Sequence, residues 1–187
     1  MRVVLCGDLL FSSRNLKNRL DKRVVDLLVD ADAVFANAEF STPKRNTPPG
    51  LCMYLTSVRQ DILDELTDLN IKLVSFANNH TIDYGPQGCL ETIEAAEARD
   101  IIPCGVGRNL WEARKARFLD TAQGRVAVVA LRPGPSALWP ATRMPMWWRV
   151  RGCARCVGGV RMCCRASNLN SFVLLMQCWA PIKVSKK

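Results

Sequence analysis

Residues 73–85 read LVSFANNHTIDYG, a mostly apolar run that changes abruptly to polar residues. The apolar part, Leu73–Ala77, predicts a strand buried within a sheet, because short apolar runs bounded by turn-forming residues are typical of buried parallel strands. The part from Asn78 to Gly85 is too polar to continue this strand. We therefore expect a strand that ends at a group of amide, imidazole and carboxylate side chains.

Two earlier strands are predicted to end in the same way. Val3–Cys6 is a short apolar run closed by a Gly-Asp turn, and we expect it to be buried on both faces. Ala33–Ala36 predicts the second strand, and polar residues follow it. Ile101–Cys104 predicts a fourth strand near a sheet edge, because its proline cannot donate a ladder hydrogen bond. Residues 126–131 predict a further strand behind a Gln-Gly turn.

Helical periodicity fills the gaps between these strands. Helices are predicted from Asn15 to about residue 28, after a capping box at Ser57 and Gln60, and after Gly85. Because strands and helices alternate, the fold class is α/β, with a mostly parallel sheet and helices on both faces. Residues 40–57 lack periodicity and predict a loop long enough to cover a site. The apolar positions that define the helices are Leu16, Leu20, Val24, Leu27 and Leu28, then Ile62, Leu63, Leu66 and Leu69, then Leu90, Ile93 and Ala96 or Glu97.

The polar residues that follow the first three strands form the candidate site. We expect them to meet because the carboxyl ends of parallel strands open into one crevice, where ligands bind in such sheets. Carboxylate and amide oxygens with one imidazole suit a divalent ion such as Mg²⁺ or Mn²⁺, or Fe²⁺ or Zn²⁺. The residues are Asp8, then Asn37 and Glu39, then Asn78, Asn79 and His80.

Each of these residues, taken alone, has a simpler structural explanation. Asp and Asn are frequent at strand ends because turns need them, and a single histidine such as His80 is more often structural than catalytic. Asp8 could serve only to cap a turn. Glu39 is harder to explain, because a carboxylate beside an apolar strand is costly to bury without a cation. Asp83 is expected to orient the imidazole of His80.

Four ordered motifs resemble those of the bacterial capsule synthesis family (CapA, poly-γ-glutamate biosynthesis) over about residues 2–131. The most specific is Ala-Asn-Asn-His-x-x-Asp-x-Gly at residues 77–85. The resemblance implies a fold similar to that of the calcineurin-like metallophosphoesterases, which use a two-metal centre. The other motifs are Gly7-Asp8-Leu9-Leu10, Asn37-Ala38-Glu39, and Gly105-Val106-Gly107 followed by Glu112-Ala113.

The same resemblance implies a function. It points to a metal-dependent, phosphoesterase-like hydrolase of capsule or poly-γ-glutamate biosynthesis that acts on a phosphate ester or a related anionic group. The implied cofactor is a divalent ion, Mn²⁺, Mg²⁺, Fe²⁺ or Zn²⁺. The implied roles are metal ligation by Asp8, Glu39 and Asn79, acid catalysis by His80 with Asp83, and substrate contact by Asn37 and Asn78.

The chain also departs from the phosphoesterase pattern. Leu10 stands where phosphoesterases have the histidine of an Asp-x-His motif, a difference shared by the CapA type. Both kinds of protein supply later histidines, in His-Trp-Gly and Gly-His-x-Pro-His blocks, whereas His80 is the only histidine of this chain. We therefore expect an incomplete and inactive site. The alternative is a non-enzymatic role, in which the crevice binds an anionic polymer or serves in the assembly of a capsule synthase.

The distribution of charge divides the chain near residue 131. The 187 residues have a net charge of +9, but residues 1–130 carry all 17 acidic and 16 of the 26 basic residues. Residues 132–187 contain no acidic residue, which is unusual for an ordinary domain. We predict that 1–131 is the α/β domain and that 132–187 is non-native, the product of a shifted reading frame or a mis-annotated end. The alternative is a genuine basic, Cys-rich extension.

Other signals are weaker. The glycines of Gly105-Val106-Gly107 lack the third glycine of a dinucleotide fingerprint and predict a tight turn with Asn109 as helix cap. The basic residues of 132–187 match no nucleic-acid-binding module, so no nucleic-acid partner is expected. No apolar run is long enough to predict a transmembrane segment or a signal peptide. We expect a cytoplasmic protein, associated with membranes only through partners. A zinc site is an alternative for four cysteines with unusual spacing, Cys153, Cys156, Cys163 and Cys164.

Overall fold

The computed structural model describes residues 1–11, 14–50 and 54–132, together with the backbone of residues 171–177. Within these ranges the chain forms seven strands and five α-helices. A short 3₁₀ turn, His80–Ile82, follows the third strand. The elements are β1 (Val3–Leu9), α1 (Leu16–Arg19), α2 (Lys22–Val29), β2 (Ala33–Ala38), α3 (Ile62–Asp68), β3 (Ile71–Ser75), α4 (Gly85–Glu97), β4 (Ile102–Cys104), α5 (Leu110–Ala113), β5 (Arg117–Thr121), β6 (Gly124–Leu131) and β7 (Ser171–Gln177).

The first four strands form one parallel sheet in the order β1-β2-β3-β4. This confirms the α/β class and the mostly parallel sheet. Strand β2 is buried at every position, and β4 lies at an edge of this sheet, as Pro103 predicts. Strand β1 forms the other edge, and none of its residues is fully buried. The prediction that β1 is buried on both faces is therefore wrong, since Leu5 in its middle is 38% exposed.

Helices α1 to α4 pack on one face of this sheet. Val34 and Ala36 of β2 point to that face and share a core with Leu28, Leu63 and Ile93 from three different helices. This arrangement follows from the period of two in a strand, which sends alternate side chains to opposite faces. The apolar stripes predicted for α3 and α4 pack against the sheet, as expected for amphipathic helices.

A second sheet covers the opposite face. Phe35 and Leu73 of the first sheet pack there with Val126 and Val128 of β6, and this core contains no residue from a described helix. The expectation of helices on both faces therefore needs correction. The alternating residues of β6 present an apolar side with a period of two, which suits a sheet surface rather than a helical one.

The second sheet has the order β5-β6-β7. Strands β5 and β6 form an antiparallel hairpin, and β7 runs parallel to β6. Strand β6 is predicted from its apolar run, whereas β5 is not, because its sequence RFLDT has half-exposed, mixed side chains. Of the segment predicted to be non-native, Arg132 and the backbone of β7 are described. That prediction and the zinc alternative otherwise lie outside the described residues.

The first predicted helix is two helices. Helix α1 ends at Arg19, Leu20 is extended with φ −76° and ψ 150°, and Asp21 caps α2 by accepting a hydrogen bond from the backbone N–H of Arg23. The aspartate competes with helix continuation because its short side chain bonds to the local backbone. The buried residues of α2 are consequently Val25 and Leu28, whereas Leu20, Val24 and Leu27 of the predicted stripe are exposed.

The predicted capping box before α3 does not form. Helix α3 begins at Ile62, Ser57 donates its hydroxyl hydrogen to the Tyr84 hydroxyl oxygen at 3.0 Å, and the Gln60 side chain donates to the Thr42 carbonyl at 3.1 Å. Both polar side chains instead tie the 40–57 loop to its surroundings. The turn after β4 agrees with the prediction, since Asn109 caps α5 by accepting from the backbone N–H of Glu112.

Candidate functional site

Asn37 lies at the centre of the polar residues at the strand ends. It is the fifth residue of β2 and only 2% exposed. Its side-chain nitrogen donates to Asp8 Oδ1 at 2.8 Å and to Glu39 Oε1 at 2.7 Å. Glu39 follows the last residue of β2, and the hydrogen bond from Asn37 holds its carboxylate beside the Asn37 amide. One amide group therefore connects the carboxylates of two strand ends.

An irregularity in β1 brings Asp8 to this position. Leu5 pairs with Phe35, and the next pair is Asp8 with Asn37. Strand β1 therefore contains one more residue than β2 between the two pairs. Such a bulge changes which side chain faces a given point. Without the extra residue, Gly7 would stand opposite Asn37. The sequence contains no signal that specifies the shift.

His80 lies on the other side of Glu39. Its Nδ1 is 2.9 Å from Asp83 Oδ2, and its Nε2 is 4.0 Å from Glu39 Oε2. Asp83 Oδ2 also accepts the backbone N–H of Thr56 at 2.6 Å. Because a carboxylate oxygen accepts hydrogen bonds, Nδ1 carries a proton and Nε2 is the atom presented to Glu39. The predicted pairing of His80 with Asp83 is therefore present in the structure.

The 40–57 loop lies against the pair formed by His80 and Asp83, as predicted. The backbone N–H of Gly50 donates to the Asp83 carbonyl at 2.7 Å, and that of Thr56 to the Asp83 carboxylate. A Cβ at position 50 would come within 2.8 Å of the Asp83 carbonyl oxygen, so the close approach requires glycine. Asp83 thus has two roles, as the partner of His80 and as an anchor of the loop.

Glu39 is the electrostatically unusual residue. Burial raises the pKa of its carboxyl group, and the nearby charge of Asp8 raises it further, whereas the Asn37 hydrogen bond and the charges of His80 and Arg132 oppose the rise. Asp8 is exposed, so the carboxylate pair is open to solvent on one side. A cation between the two carboxylates would offset both causes of the raised pKa. The donor set therefore fits a hard divalent ion.

The structure does not gather all the predicted ligands equally. Asn79 is exposed before the 3₁₀ turn, and its side chain makes no hydrogen bond within the described part of the chain. Among residues 1–11, 14–50 and 54–132, no three His, Cys, Asp or Glu side chains have a metal-binding arrangement. Asp8 and Glu39 are thus the carboxylates that the fold brings together, and a role for Asn79 stays a prediction.

Asn37 and Asn78 bond to other residues of the chain, and their predicted contact with substrate stays a prediction. Each is 2% exposed, and the polar atoms of Asn78 bond to Asn37, Ala38, His80 and Thr81. These side chains are internal connections between strand ends. Arg132, which follows β6 and whose charge reaches Glu39, was not among the predicted site residues. Its position directly after a predicted strand was the available signal.

The sequence profile described as bacterial capsule synthesis protein PGA_cap matches residues 2–151. The chain therefore belongs to this family, which confirms the resemblance drawn from its motifs. The match runs past residue 131, the boundary predicted from composition. Because the described part of the chain ends at residue 132 apart from β7, the boundary itself stays a prediction.

Curated proteins show the same relationship. An uncharacterized protein of Sinorhizobium fredii is 34% identical over 137 residues, which are 68% of this chain and 29% of that protein. A second uncharacterized protein of this organism is 34% identical over 113 residues, 57% of this chain and 24% of that protein. A Mycobacterium tuberculosis protein named "Probable polyglutamine synthesis accessory protein" is 31% identical over 96 residues, 49% of this chain and 25% of that protein.

The chain spans less than a third of the length of each of these relatives. The similarity therefore concerns one portion of a larger kind of protein. Within the described residues, none of the helices has both the length and the apolar character needed to cross a membrane.

Proposed function

We propose that this chain carries a divalent-metal site of a protein that acts in capsule or poly-γ-glutamate synthesis. The observation that carries the proposal is the double hydrogen bond from Asn37 to Asp8 and Glu39. It holds two like charges close together, which is unfavourable unless a positive charge balances them. A divalent ion such as Mn²⁺ or Mg²⁺ is the partner with the appropriate charge and preference for oxygen.

The arrangement also suits an anionic, phosphate-containing ligand. A bound ion would polarise a phosphoryl oxygen and lower the pKa of a bound water molecule. The residues of this chain would orient the ligand and supply a proton. Asp83 fixes the His80 ring through Nδ1, so Nε2 faces the carboxylate pair, from where a protonated ring would donate to a leaving-group oxygen.

The capsule role rests on the family. The matching profile is described as a capsule synthesis protein, and a mycobacterial relative carries polyglutamine synthesis in its name. Both support the assignment of this chain to polymer synthesis, and the description of the profile supports a capsule as the product. Components of a capsule synthase would then be its partners.

A direct test measures Mn²⁺ binding by titration calorimetry at fixed pH. Glu39→Gln should weaken Mn²⁺ binding by at least about tenfold, since even residues that only orient metal ligands cost that much. Glu97→Gln is the matched control, because Glu97 is exposed near the end of α4 and remote in sequence from the strand ends. Equal Mn²⁺ affinity in wild type and Glu39→Gln would contradict the proposal.

A second candidate function is favoured by the histidine count. Phosphoesterase-like two-metal centres use several histidines, whereas this chain has one histidine. We infer that the site binds an anionic polymer through one ion without rapid hydrolysis. An assay with a generic aryl phosphate and Mn²⁺, Mg²⁺ or Zn²⁺ should therefore give background turnover. Turnover that disappears in His80→Ala would instead establish a hydrolase.

A further inference from the structure

We propose that Asn78 is a positioning residue that fixes the orientation of the Asn37 amide and, through it, the spacing of Asp8 and Glu39. The inference rests on the proposed function, because these carboxylates are the proposed ligands. It concerns a side chain that touches neither carboxylate. The argument depends on which groups can only donate and which can only accept hydrogen bonds.

Backbone groups fix the Asn78 amide. Its nitrogen donates to the Ala38 carbonyl at 2.6 Å, and its oxygen accepts the backbone N–H of His80 at 3.0 Å and of Thr81 at 3.2 Å. A carbonyl can only accept and a backbone N–H can only donate. If the Asn78 amide were turned over, all three contacts would join like groups. Its orientation is therefore determined by the fold and not by solvent.

Asn78 then fixes Asn37. The nitrogen of Asn78 also donates to Asn37 Oδ1 at 3.3 Å. This contact places the oxygen of Asn37 toward β3, so its nitrogen must face the carboxylates. Both hydrogens of that nitrogen are used, one on Asp8 and one on Glu39. The backbone groups that contact Asn78 thus fix the orientation of its amide. Asn78 fixes the Asn37 amide, which in turn holds the carboxylate pair.

The alternative orientation of Asn37 would be strongly unfavourable. It would place a third oxygen against two carboxylates and leave the Asn37 nitrogen facing the nitrogen of Asn78. Both asparagines are 2% exposed, so water cannot compensate for the lost hydrogen bonds. This explains why both positions hold an amide, since an aspartate at either one could not donate to its neighbour.

The test is Asn78→Asp in the full chain, with Asn70→Asp as the matched control. Asn70 also donates its side-chain nitrogen to two backbone carbonyls, those of Leu28 at 3.2 Å and Ala31 at 2.8 Å. It precedes β3, at the opposite end of this strand from Asn78. The control therefore removes the same kind of bond without changing the carboxylate end of the sheet.

Two readouts separate this inference from the proposed function. The first is Mn²⁺ affinity, which should fall about tenfold or more in Asn78→Asp and remain near wild type in Asn70→Asp. The second is the NMR signal of the Asn37 side-chain NH₂ group, assigned by its loss in Asn37→Asp. Both protons should be shifted by hydrogen bonding and protected from exchange in the wild type, and released in Asn78→Asp.

The outcomes are distinguishable. If the wild type binds no Mn²⁺, the proposed function fails, while the NH₂ signal still decides the positioning role. If Asn78→Asp leaves the Asn37 signal and the Mn²⁺ affinity unchanged, the inference is overturned. If Asn78→Asp does not fold, the wild-type spectrum decides alone, because a freely exchanging Asn37 NH₂ group would contradict the arrangement.

Discussion

Two glutamates with low exposure show how hydrogen bonds change the effect of burial on the pKa of a carboxyl group. Glu91 on α4 is 4% exposed and accepts from the Lys44 backbone N–H at 2.8 Å, the Thr47 hydroxyl at 2.5 Å and the Gln87 side chain at 2.8 Å. Burial alone would raise its pKa, but these hydrogen bonds lower it overall. Burial raises the pKa of Glu39, the charge of Asp8 raises it further, and the hydrogen bond from Asn37 does not offset them. Glu91 is therefore satisfied within the chain, whereas Glu39 is suited to bind a cation.

The lowered pKa of Glu91 predicts a pH-dependent contribution to stability. A group with a lower pKa in the folded state stabilises the fold above its unfolded pKa, about 4.3 for glutamate, and this contribution is lost as the pH falls through the folded value. Glu91→Gln should lower the free energy of unfolding at pH 7 by about 1–3 kcal/mol. The difference from wild type should shrink in strong acid.

Urea unfolding at pH 7 and in acid would measure this effect. Glu97→Gln, an exposed change on the same helix, should leave the free energy of unfolding within about 0.5 kcal/mol of wild type at both pH values. A deficit in Glu91→Gln that is equally large in acid would show that packing, and not the charge, is responsible.

At the residue scale, the sequence predicts where the polar groups meet but not which group does what. The strand-end rule is sufficient to place Asp8, Glu39 and His80 together, and a spacing of three residues is sufficient to pair His80 with Asp83. The roles of Asn37 and Asn78 could not be predicted, because an amide accepts or donates according to its neighbours. Those neighbours depend on the register shift in β1.

At the scale of elements, the turn after β4 joins three strands at one point. Gly105 has φ +73°, a conformation that favours glycine. A Cβ at this position would lie 2.6 Å from the Cβ of Ala77 and 2.8 Å from the Ala130 carbonyl oxygen. The ends of β3, β4 and β6 therefore approach one another here, and no side chain fits between them.

Gly105→Ala should consequently destabilise the fold by about 1–3 kcal/mol, because it combines backbone strain with overpacking. Thermal unfolding followed by circular dichroism would measure the loss. Gly7→Ala is a suitable control, since a Cβ at position 7 has no heavy atom within 4 Å and φ is not positive there. Equal unfolding temperatures for the two variants would contradict the close approach at Gly105.

The elements that the sequence analysis misjudges have a common physical cause. Leu16 to Leu28 has helical spacing throughout, yet Asp21 starts a new helix by capping, and the break changes which residues face the core. Neither face of strand β5 consists only of apolar residues, and its side chains alternate between half-buried and exposed. Periodicity detects an element only where one of its sides is consistently buried, so local capping and half-exposed strands escape it.

At the scale of the whole molecule, a single sheet separates two different cores. Helices pack on one side and β6 on the other, so β2 is enclosed by unlike layers. The alternation of strands and helices predicts the first layer. It cannot predict the second, because the partner of β6 is set by a local antiparallel hairpin and by β7, which lies far away in the sequence.

The order of the strands in the first sheet has a consequence for folding. Strands β1, β2 and β3 lie side by side in the order in which they occur along the chain, and Asp8, Glu39 and His80 follow or end these three strands. Contacts between segments that are close in the sequence form faster than contacts between distant ones. The strands that carry the carboxylates and the histidine therefore pair through short crossovers, and a bound ion would favour their correct pairing further.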